Sequence, residues 1–499
     1  MKRLLGRKIS IVLLIVQIIF TIGLIGTVIY VGIIPLKYIL ILSAVLVFFL
    51  LYGIFSQMTA SKVYLAGRVL CVLICLFYAG GVYYCVNTNS AIEEISNSKQ
   101  TKVSEISCVV LKDDEAQSIY DTTDYTYGIL GTSDRENTDA VLADVKTAIN
   151  KDPEIKEYND NDALVDALYA KEVQVIVLNE ANRALIEDVY DTFRDDTRVL
   201  DTTKVEKEIE VEEKLDDITT TPFIVYLSGI DLYGDINQTS RSDVNVLAVV
   251  NPNTKRILLV STPRDYYVEL PGVSNGMCDK LTHAGIHGVD CSIRTLENVY
   301  NVDIDYYVRV NFTSIRKIVN VLGGVDVYSD YTFTSDWGPS FKKGYNHVNG
   351  KQALAFCRER HHFENGDYQR GRDHQHMIEA ILTKAMSAEV LPKYAKLLRV
   401  TSERFQTNMS MKEMKALCKM QLRDMADWTI KYANADGNGA MRTTYAYQSR
   451  PLYVCLPDYD SVEKITKRIK KVLSGDTGDL VNKGEDKAQA SPSTAPAAE

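Results

Sequence analysis

Four arginines fall within fifteen residues in Cys357-Arg358-Glu359-Arg360 and Asp367-Tyr368-Gln369-Arg370-Gly371-Arg372-Asp373, and no lysine lies between the first and the last of them. The planar guanidinium fork binds phosphate oxygens two at a time, so arginine in place of lysine points to oxyanion recognition. With Glu359, Asp367 and Asp373 the same residues also suit a surface salt-bridge network, and spacing does not separate the two. Two more arginines stand at expected strand ends: Arg264 after Ser261-Thr262-Pro263, and Arg241 in Arg241-Ser242-Asp243. Strand-end loops are where sites of α/β proteins collect. Asp231 and Asp243, twelve residues apart, flank one such loop. A pair of carboxylates facing a phosphate suits Mg2+, or Mn2+ in its place, because such an ion takes a few carboxylates plus substrate oxygens and water.

Other chemistries have weaker support. His283 and His287 stand at i and i+4, but Ala284 follows where a zinc protease has glutamate, and Gly285 and Gly288 weaken the helix. His361, His362, His374 and His376, with Asp367 or Asp373, form a second group able to hold a transition metal. The sequence contains no P-loop or Gly-x-Gly-x-x-Gly, which leaves NTPase and dinucleotide readings without support.

The elements that must position these residues divide by charge. Residues 1–87 hold seven Lys/Arg and no Asp or Glu, residues 88–220 hold 33 acidic and 14 basic residues, and 221–499 hold 32 acidic and 35 basic. Runs 9–34, 36–55 and 63–86 are nearly unbroken apolar stretches, each as long as the about 20 residues a membrane span needs. Three successive spans do not fit a signal peptide and exclude a soluble cytosolic enzyme. Lys2, Arg3, Arg7 and Lys8 hold the N-terminus in the cytoplasm, which puts everything after about residue 87 outside the cell. Substrates there are lipid-borne or part of the envelope, and no nucleic-acid partner is expected, since the arginine-rich stretch also lacks an aromatic platform. Six of the nine cysteines are external; Cys278 and Cys291 are the best candidate disulfide pair, against buried free thiols as the alternative.

Outside the membrane, 88–102 reads as a polar stalk. Strands at 126–130 and 173–178 alternate with helices at 138–149 and 182–193, a small acidic α/β module, and 205–217 reads as a charged connector. A second module follows. It has strands at 223–228, 244–250, 256–262 and 306–310, a helix at 313–322 ending at Gly323-Gly324, and a helix at 372–388. Further helix starts are signalled by Asn349 with Gln352, Ser410 with Glu413 and Asp460 with Glu463. The fold class is therefore α/β (α+β): a mixed sheet covered by helices. The expected boundaries are 1–87 for the spans, 88–220 for the accessory domain and connector, 221–475 for the site-bearing domain, and 476–499 for a disordered Ala/Pro/Ser-rich tail.

Taken together, Gly229-Ile230-Asp231, Arg241-Ser242-Asp243, Ser261-Thr262-Pro263-Arg264-Asp265, Asp279-Lys280-Leu281-Thr282-His283-Ala284, Leu322-Gly323-Gly324-Val325-Asp326 and Asn349-Gly350-Lys351-Gln352-Ala353-Leu354 resemble the LytR-CpsA-Psr family of envelope transferases. The arginine-rich stretch completes the set, in the family's order over about 150 residues. Three spans and an accessory module resemble the capsule-type members of Gram-positive bacteria. The resemblance implies a plasma-membrane phosphotransferase that moves capsular polysaccharide from an undecaprenyl-pyrophosphate carrier to peptidoglycan, with other capsule-assembly proteins as candidate partners. It also implies that Asp231 and Asp243 hold the ion, and that Arg241, Arg264, Arg358, Arg360 and Arg370 grip the pyrophosphate. His374 stands where the family has the first of two glutamines, and can donate to phosphate in a more pH-dependent way. Arg241 and Arg264, with Asp265 or Asp367 as the base, form the expected catalytic set. Val319, Leu322, Ile315 and Ile318 could line a lipid channel or simply pack in the core. Competing readings are a non-catalytic regulator or scaffold of capsule assembly, and a polyprenyl-pyrophosphate phosphatase that admits water to the same site.

Overall fold

The computed structural model describes residues 2–58, 63–97, 101–131, 134–208, 214–230 except 216, 236–363, 366–400 except 394, 395 and 398, and 405–476. The loop residue Asp231 and the tail from residue 477 lie outside the described residues.

Three helices come first, α1 (Lys2–Val31), α2 (Leu36–Met58) and α3 (Val63–Asn97). Each is long and apolar enough to cross a membrane, over Lys8–Val31, Leu36–Gln57 and Leu65–Asn87. Ile22, Phe48, Phe55 and Phe77 are exposed on them, as a lipid-facing surface requires. Two polar residues inside are paired: Gln17 Nε2 donates to the Phe49 carbonyl (3.1 Å) and Arg68 Nη2 to Ser10 Oγ (2.9 Å). The expected stalk at 88–102 is corrected, because α3 continues as a helix to Asn97 and a strand begins at Thr101.

The accessory module comprises β1 (Thr101–Leu111), β2 (Thr126–Leu130), α4 (Arg135–Ile149), β3 (Glu154–Tyr158), α5 (Asn161–Tyr169), β4 (Val175–Asn179), α6 (Glu180–Glu187) and β5 (Thr197–Glu208). Its sheet runs β3-β2-β4-β1-β5. Successive residues of β1 turn to opposite faces. Ile106, Cys108 and Val110 pack with Val141 and Val145 of α4, while Val109 packs with Leu164 and Leu168 of α5. Residues 205–208, expected in a connector, belong to the edge strand β5 and pair with β1 from Ser104↔Val205 to Thr101↔Glu208.

The second module begins with β6 (Phe223–Ile230), β7 (Ser242–Asn251), β8 (Arg256–Ser261), α7 (Val289–Tyr300), β9 (Tyr306–Asn311), α8 (Phe312–Leu322) and α9 (Gly350–Arg358). It continues with α10 (Gly366–Ala385), β10 (Gln406–Thr407), α11 (Met411–Asp424), β11 (Thr429–Asn434) and α12 (Tyr459–Ser474). The six strands order as β10-β9-β6-β7-β8-β11. β6 pairs parallel with β9 and antiparallel with β7, and β8 pairs parallel with β11, so the sheet is mixed as the sequence suggests. Alternation again divides the strands. Ile224, Tyr226, Leu247, Val249, Leu258 and Val260 meet α7 and α12 through Leu296, Ile465 and Ile469. Val225, Val246, Ala248 and Leu259 face α10 and α11 through Ile378, Leu382 and Leu417.

A second core beside the sheet joins α8, α9 and α10 to the strand pair Val325–Ser329 and Gly344–Val348. Ile318, Val319 and Leu322 are buried in it, with Ile315 packed at its margin. Asn349 and Ser410 cap α9 and α11 with Gln352 and Glu413 completing the boxes. Two helix starts are corrected: α10 begins at Gly366 rather than 372, and Asp458 rather than Asp460 caps α12. The nine cysteines are free thiols, which corrects the Cys278–Cys291 pairing.

The two modules that follow the three helices are docked. Val103 N donates to the Asn237 carbonyl (2.9 Å) and Thr239 N to that of Val103 (3.0 Å). Gln448 N and Ser449 Oγ donate to the carboxylates of Asp160 and Asp162 (2.7 and 2.6 Å), and Arg450 pairs with Asp162 at 2.8 Å.

Candidate functional site

The start of β7 and the end of β8 lie side by side in the sheet, and α10 crosses them. Gly371 allows the approach, since a Cβ there would sit 2.8 Å from Ser261 Oγ. Pro263 carries the chain off the sheet and leaves Arg264 and Asp265 on the rim. The cavity so formed is lined by Asp243, Arg264, Asp265, Asp367, Arg370 and His374, with Tyr368 and Tyr453 at its wall.

Ion pairs organise its floor. Arg264 Nη1 lies 3.1 Å from Asp243 Oδ1, which also accepts from Thr282 Oγ1 at 3.1 Å. Asp265 sits between Arg264 (3.6 Å) and Lys280 (3.2 Å), and Arg370 pairs with Asp367 at 3.0 Å. Arg264 Nε is buried and makes no hydrogen bond; it is the atom that faces Asp265 Oδ2 at 3.6 Å. Burial alone would raise the Asp243 carboxyl, but Arg264, then Arg241 and Arg370, outweigh it and hold the acid below its ordinary range. Burial opposes the charge on Arg264, yet Asp243, Asp265 and Asp367 raise it above its usual value. Arg370 moves the other way, lowered by burial and then by the neighbouring charge of Arg264. The two candidate bases differ in access: the Asp265 side chain is 10% exposed and that of Asp367 is 42% exposed.

His374 reaches the cavity, but its Nε2 donates to the Cys357 carbonyl at 2.9 Å. Burial, then the charge of Arg370, push the ring down to about 4. A neutral imidazole bonded this way has no second N–H for a phosphate and offers a lone pair instead.

Arg241 lines an adjoining cavity that shares Arg264 and Asp265 with the first. Its loop is fixed by Gly285, where a Cβ would lie 2.6 Å from the Ser240 carbonyl oxygen and 2.7 Å from Ser242 N. Arg241 Nη1 is held by Asp188 of the accessory module at 2.7 Å. Arg358 and Arg360 line neither cavity. Arg358 is packed between the rings of Phe312 (4.6 Å) and Trp337 (4.5 Å), and Arg360 is exposed. Asp231 is outside the described residues, so Asp243 is the described member of the expected ion-binding pair.

The histidine group divides. His361 and His362 gather at Asp336 and Glu359, while His376 lies with Asp330 and Asp373. His283 Nδ1 donates to buried Asp279 at 2.7 Å, a structural bond that orients the segment bearing Thr282. Asp188 and the bridging roles of Thr282 and Lys280 were not foreseen. Thr282 and Lys280 carry a signal, both standing in the Asp279–Ala284 motif, whereas Asp188 lies 53 residues from Arg241 in a module legible only as acidic α/β. The arrangement offers buried cationic forks beside ionised carboxylates, which can grip an oxyanion and help to hold a hard divalent ion.

Residues 189–469 match the LytR-CpsA-Psr family. The polyisoprenyl-teichoic acid–peptidoglycan teichoic acid transferase TagU of Enterococcus faecalis is 36% identical over 229 residues, covering 46% of this chain and 74% of the relative. The Bacillus subtilis protein of the same name is 31% identical over 275 residues, covering 54% of this chain and 82% of that one. Among solved structures, B. subtilis TagV aligns at 29% identity and TM-score 0.44 over 51% of this chain and 98% of its own. TagT bound to LIIa-WTA aligns at 26% and 0.42, over 53% and 97%. The chain belongs to the LytR-CpsA-Psr family.

Proposed function

We propose that the chain is a membrane-anchored phosphotransferase that moves a glycopolymer from a polyprenyl-pyrophosphate carrier to peptidoglycan. The observation that carries this reading is the cavity in which Arg264 and Arg370 converge beside ionised Asp243. The named activities of the relatives support it.

Phosphoryl transfer is governed by positioning and charge neutralisation far more than by covalent chemistry from the protein. Arg264 and Arg370 bind the non-bridging oxygens, displacing the carboxylates that now occupy their forks, and Arg241 extends the grip into the adjoining cavity. Asp367, the more accessible carboxylate, takes the proton of the acceptor hydroxyl. The hydroxyl oxygen attacks the sugar-side phosphorus, the pyrophosphate P–O bond breaks, and polyprenyl phosphate leaves. The residues present fit a divalent ion in one respect: Asp243 is an ionised carboxylate aligned on the cavity. Mg2+ or Mn2+ held there, with Asp231 as the second ligand, would neutralise charge on the pyrophosphate.

The three membrane helices carry the site on the outer face of the plasma membrane, with the N-terminus inside. We take the polymer to be capsular polysaccharide, on the combination of three spans with an accessory module. Incubating the solubilised chain with pyrophosphate-linked lipid glycan and peptidoglycan oligomers tests the reaction. Glycan joined to peptidoglycan through phosphate, with polyprenyl phosphate released, is the expected result. Release of free glycan phosphate alone would establish a phosphatase instead, and no turnover a scaffold. Wall-bound polymer analysis in cells lacking the gene tests the finer reading: loss of capsule supports it, and loss of teichoic acid alone overturns it.

A further inference from the structure

The helix that carries Arg370 and His374 into the cavity has a second buried polar face. At about 100° per residue, Asp367, Arg370, Gly371 and His374 share one side of α10, and Gln369, Asp373 and His376 share the other. Gln369, Asp373 and His376 are buried there, Asp373 completely. They meet Asp330, which follows the strand Val325–Ser329. One ligand atom each from Asp330, Asp373 and His376 lies within 4.8 Å of the others.

Polar atoms in this group are left without partners. Asp373 Oδ2 and His376 Nδ1 are both buried and make no hydrogen bond, although a buried carboxylate is unfavourable unless a cation or a donor meets it. The nearest guanidinium, Arg372, pairs with Asp330 (3.2 Å). Gln369 Nε2 bridges the two carboxylates, at 3.0 Å from Asp330 Oδ2 and 2.9 Å from Asp373 Oδ1. Burial, with Asp330 adding to it, raises the Asp373 acid well above its ordinary value, and burial pushes the His376 ring down to about 4. The ring hydrogen-bonds to the Tyr328 backbone, so a neutral His376 holds its proton there and leaves a lone pair on Nδ1. A second nitrogen fixed by a backbone carbonyl is the usual support of a metal-binding imidazole.

We propose that Asp330, Asp373 and His376 form a site for a divalent transition-metal ion, Zn2+ or Mn2+, with the Gln369 side-chain oxygen as fourth ligand once its amide turns over. A dication balances two carboxylates, and an imidazole nitrogen favours Zn2+ or Mn2+ over Mg2+. The ion pins the first turns of α10 to the Val325–Ser329 strand from behind, which steadies Arg370 and His374 on the opposite face. The site is separate from the ion expected at Asp231 and Asp243 and does not depend on the transfer reading.

The test uses the full solubilised chain, stripped with chelator and titrated with Zn2+ and with Mn2+, in wild type and in an Asp243→Ala background. One ion per chain that persists in Asp243→Ala, raises the melting temperature and weakens at least tenfold in Asp373→Asn and in His376→Gln is the expected result. A Co2+ visible spectrum lost in His376→Gln would report the nitrogen ligand directly. A folded wild-type chain that takes up neither Zn2+ nor Mn2+ overturns the proposal. So does binding unchanged in His376→Gln and lost in His361→Ala, which would place the ion at Asp336 and Glu359. Should Asp373→Asn fail to fold, the His376→Gln variant decides.

Discussion

At the scale of single residues, the cavity depends on where each arginine is held. Arg264 touches two carboxylates, Asp243 through Nη1 and Asp265 through Nε, so its replacement removes charge, geometry and an anion donor together. Arg264→Ala is expected to lower turnover about a hundredfold or more, the loss typical of removing one preorganised oxyanion donor, while circular dichroism stays that of wild type. Arg264→Lys restores little, because an ammonium cannot reproduce the fork; recovery of most activity in the lysine variant would contradict this geometry. His374 gives a pH prediction. Its folded value of about 4 lies below the unfolded 6.5, so its ring is neutral at working pH, and protonation favours the unfolded chain as pH falls from 6.5 through 4. His374→Gln should therefore leave the turnover profile between pH 5.5 and 7.5 unchanged, and should flatten part of the acid-side fall in melting temperature. An acidic limb of the turnover profile that disappears in His374→Gln would contradict the neutral assignment.

At the scale of elements, α10 serves the cavity with one face and a buried polar group with the other. That duality explains why its start was not legible. Residues 366–371 carry Asp367, Gln369 and Arg370 in place of an apolar stripe, so periodicity shows nothing until 372. β5 was hidden for a related reason: Lys204, Glu206 and Glu208 alternate with Val205 and Lys207 on an edge strand held by backbone pairing to β1, and such a strand has the composition of a solvated linker. The strands β2, β4, β6, β7, β8 and β9, the spans and the caps of α9 and α11 could be read because each follows a local rule of burial or hydrogen bonding, whereas β1, β3, β10 and β11 went unread. The cavity's arginines and aspartates were legible by type and motif, but their pairing was not, because partners such as Arg264 and Asp243 meet only through the sheet. Gly285 shows the same limit, since its need for a bare Cα arises from the backbone of Ser240 and Ser242. Gly285→Ala must displace the Arg241 loop, and a small misplacement of a binding group is costly. Turnover is expected to fall at least tenfold with a modest change in melting temperature, measured side by side; unchanged turnover would show that the loop has room to adjust.

At the scale of the molecule, the accessory module is part of the site's architecture. Its Asp188 holds Arg241, its Asp162 holds Arg450, and its β1 joins the backbone of residues 237–239. A carboxylate on a substrate-binding guanidinium competes with the pyrophosphate for the same fork. Asp188→Ala should therefore lower KM severalfold for the pyrophosphate lipid with little change in kcat. A raised KM would show that Asp188 positions Arg241 for the substrate instead. The acidity of this module includes groups that bind the second module directly.

The most direct measurement is mass analysis of lipid bound to the purified, detergent-solubilised chain. Polyprenyl phosphate or pyrophosphate that copurifies with the wild-type protein and is lost from folded Arg264→Ala is the expected result. A wild-type chain that carries no such lipid, and binds none when pyrophosphate lipid and Mg2+ are added, would contradict the transferase reading and leave a scaffold in its place.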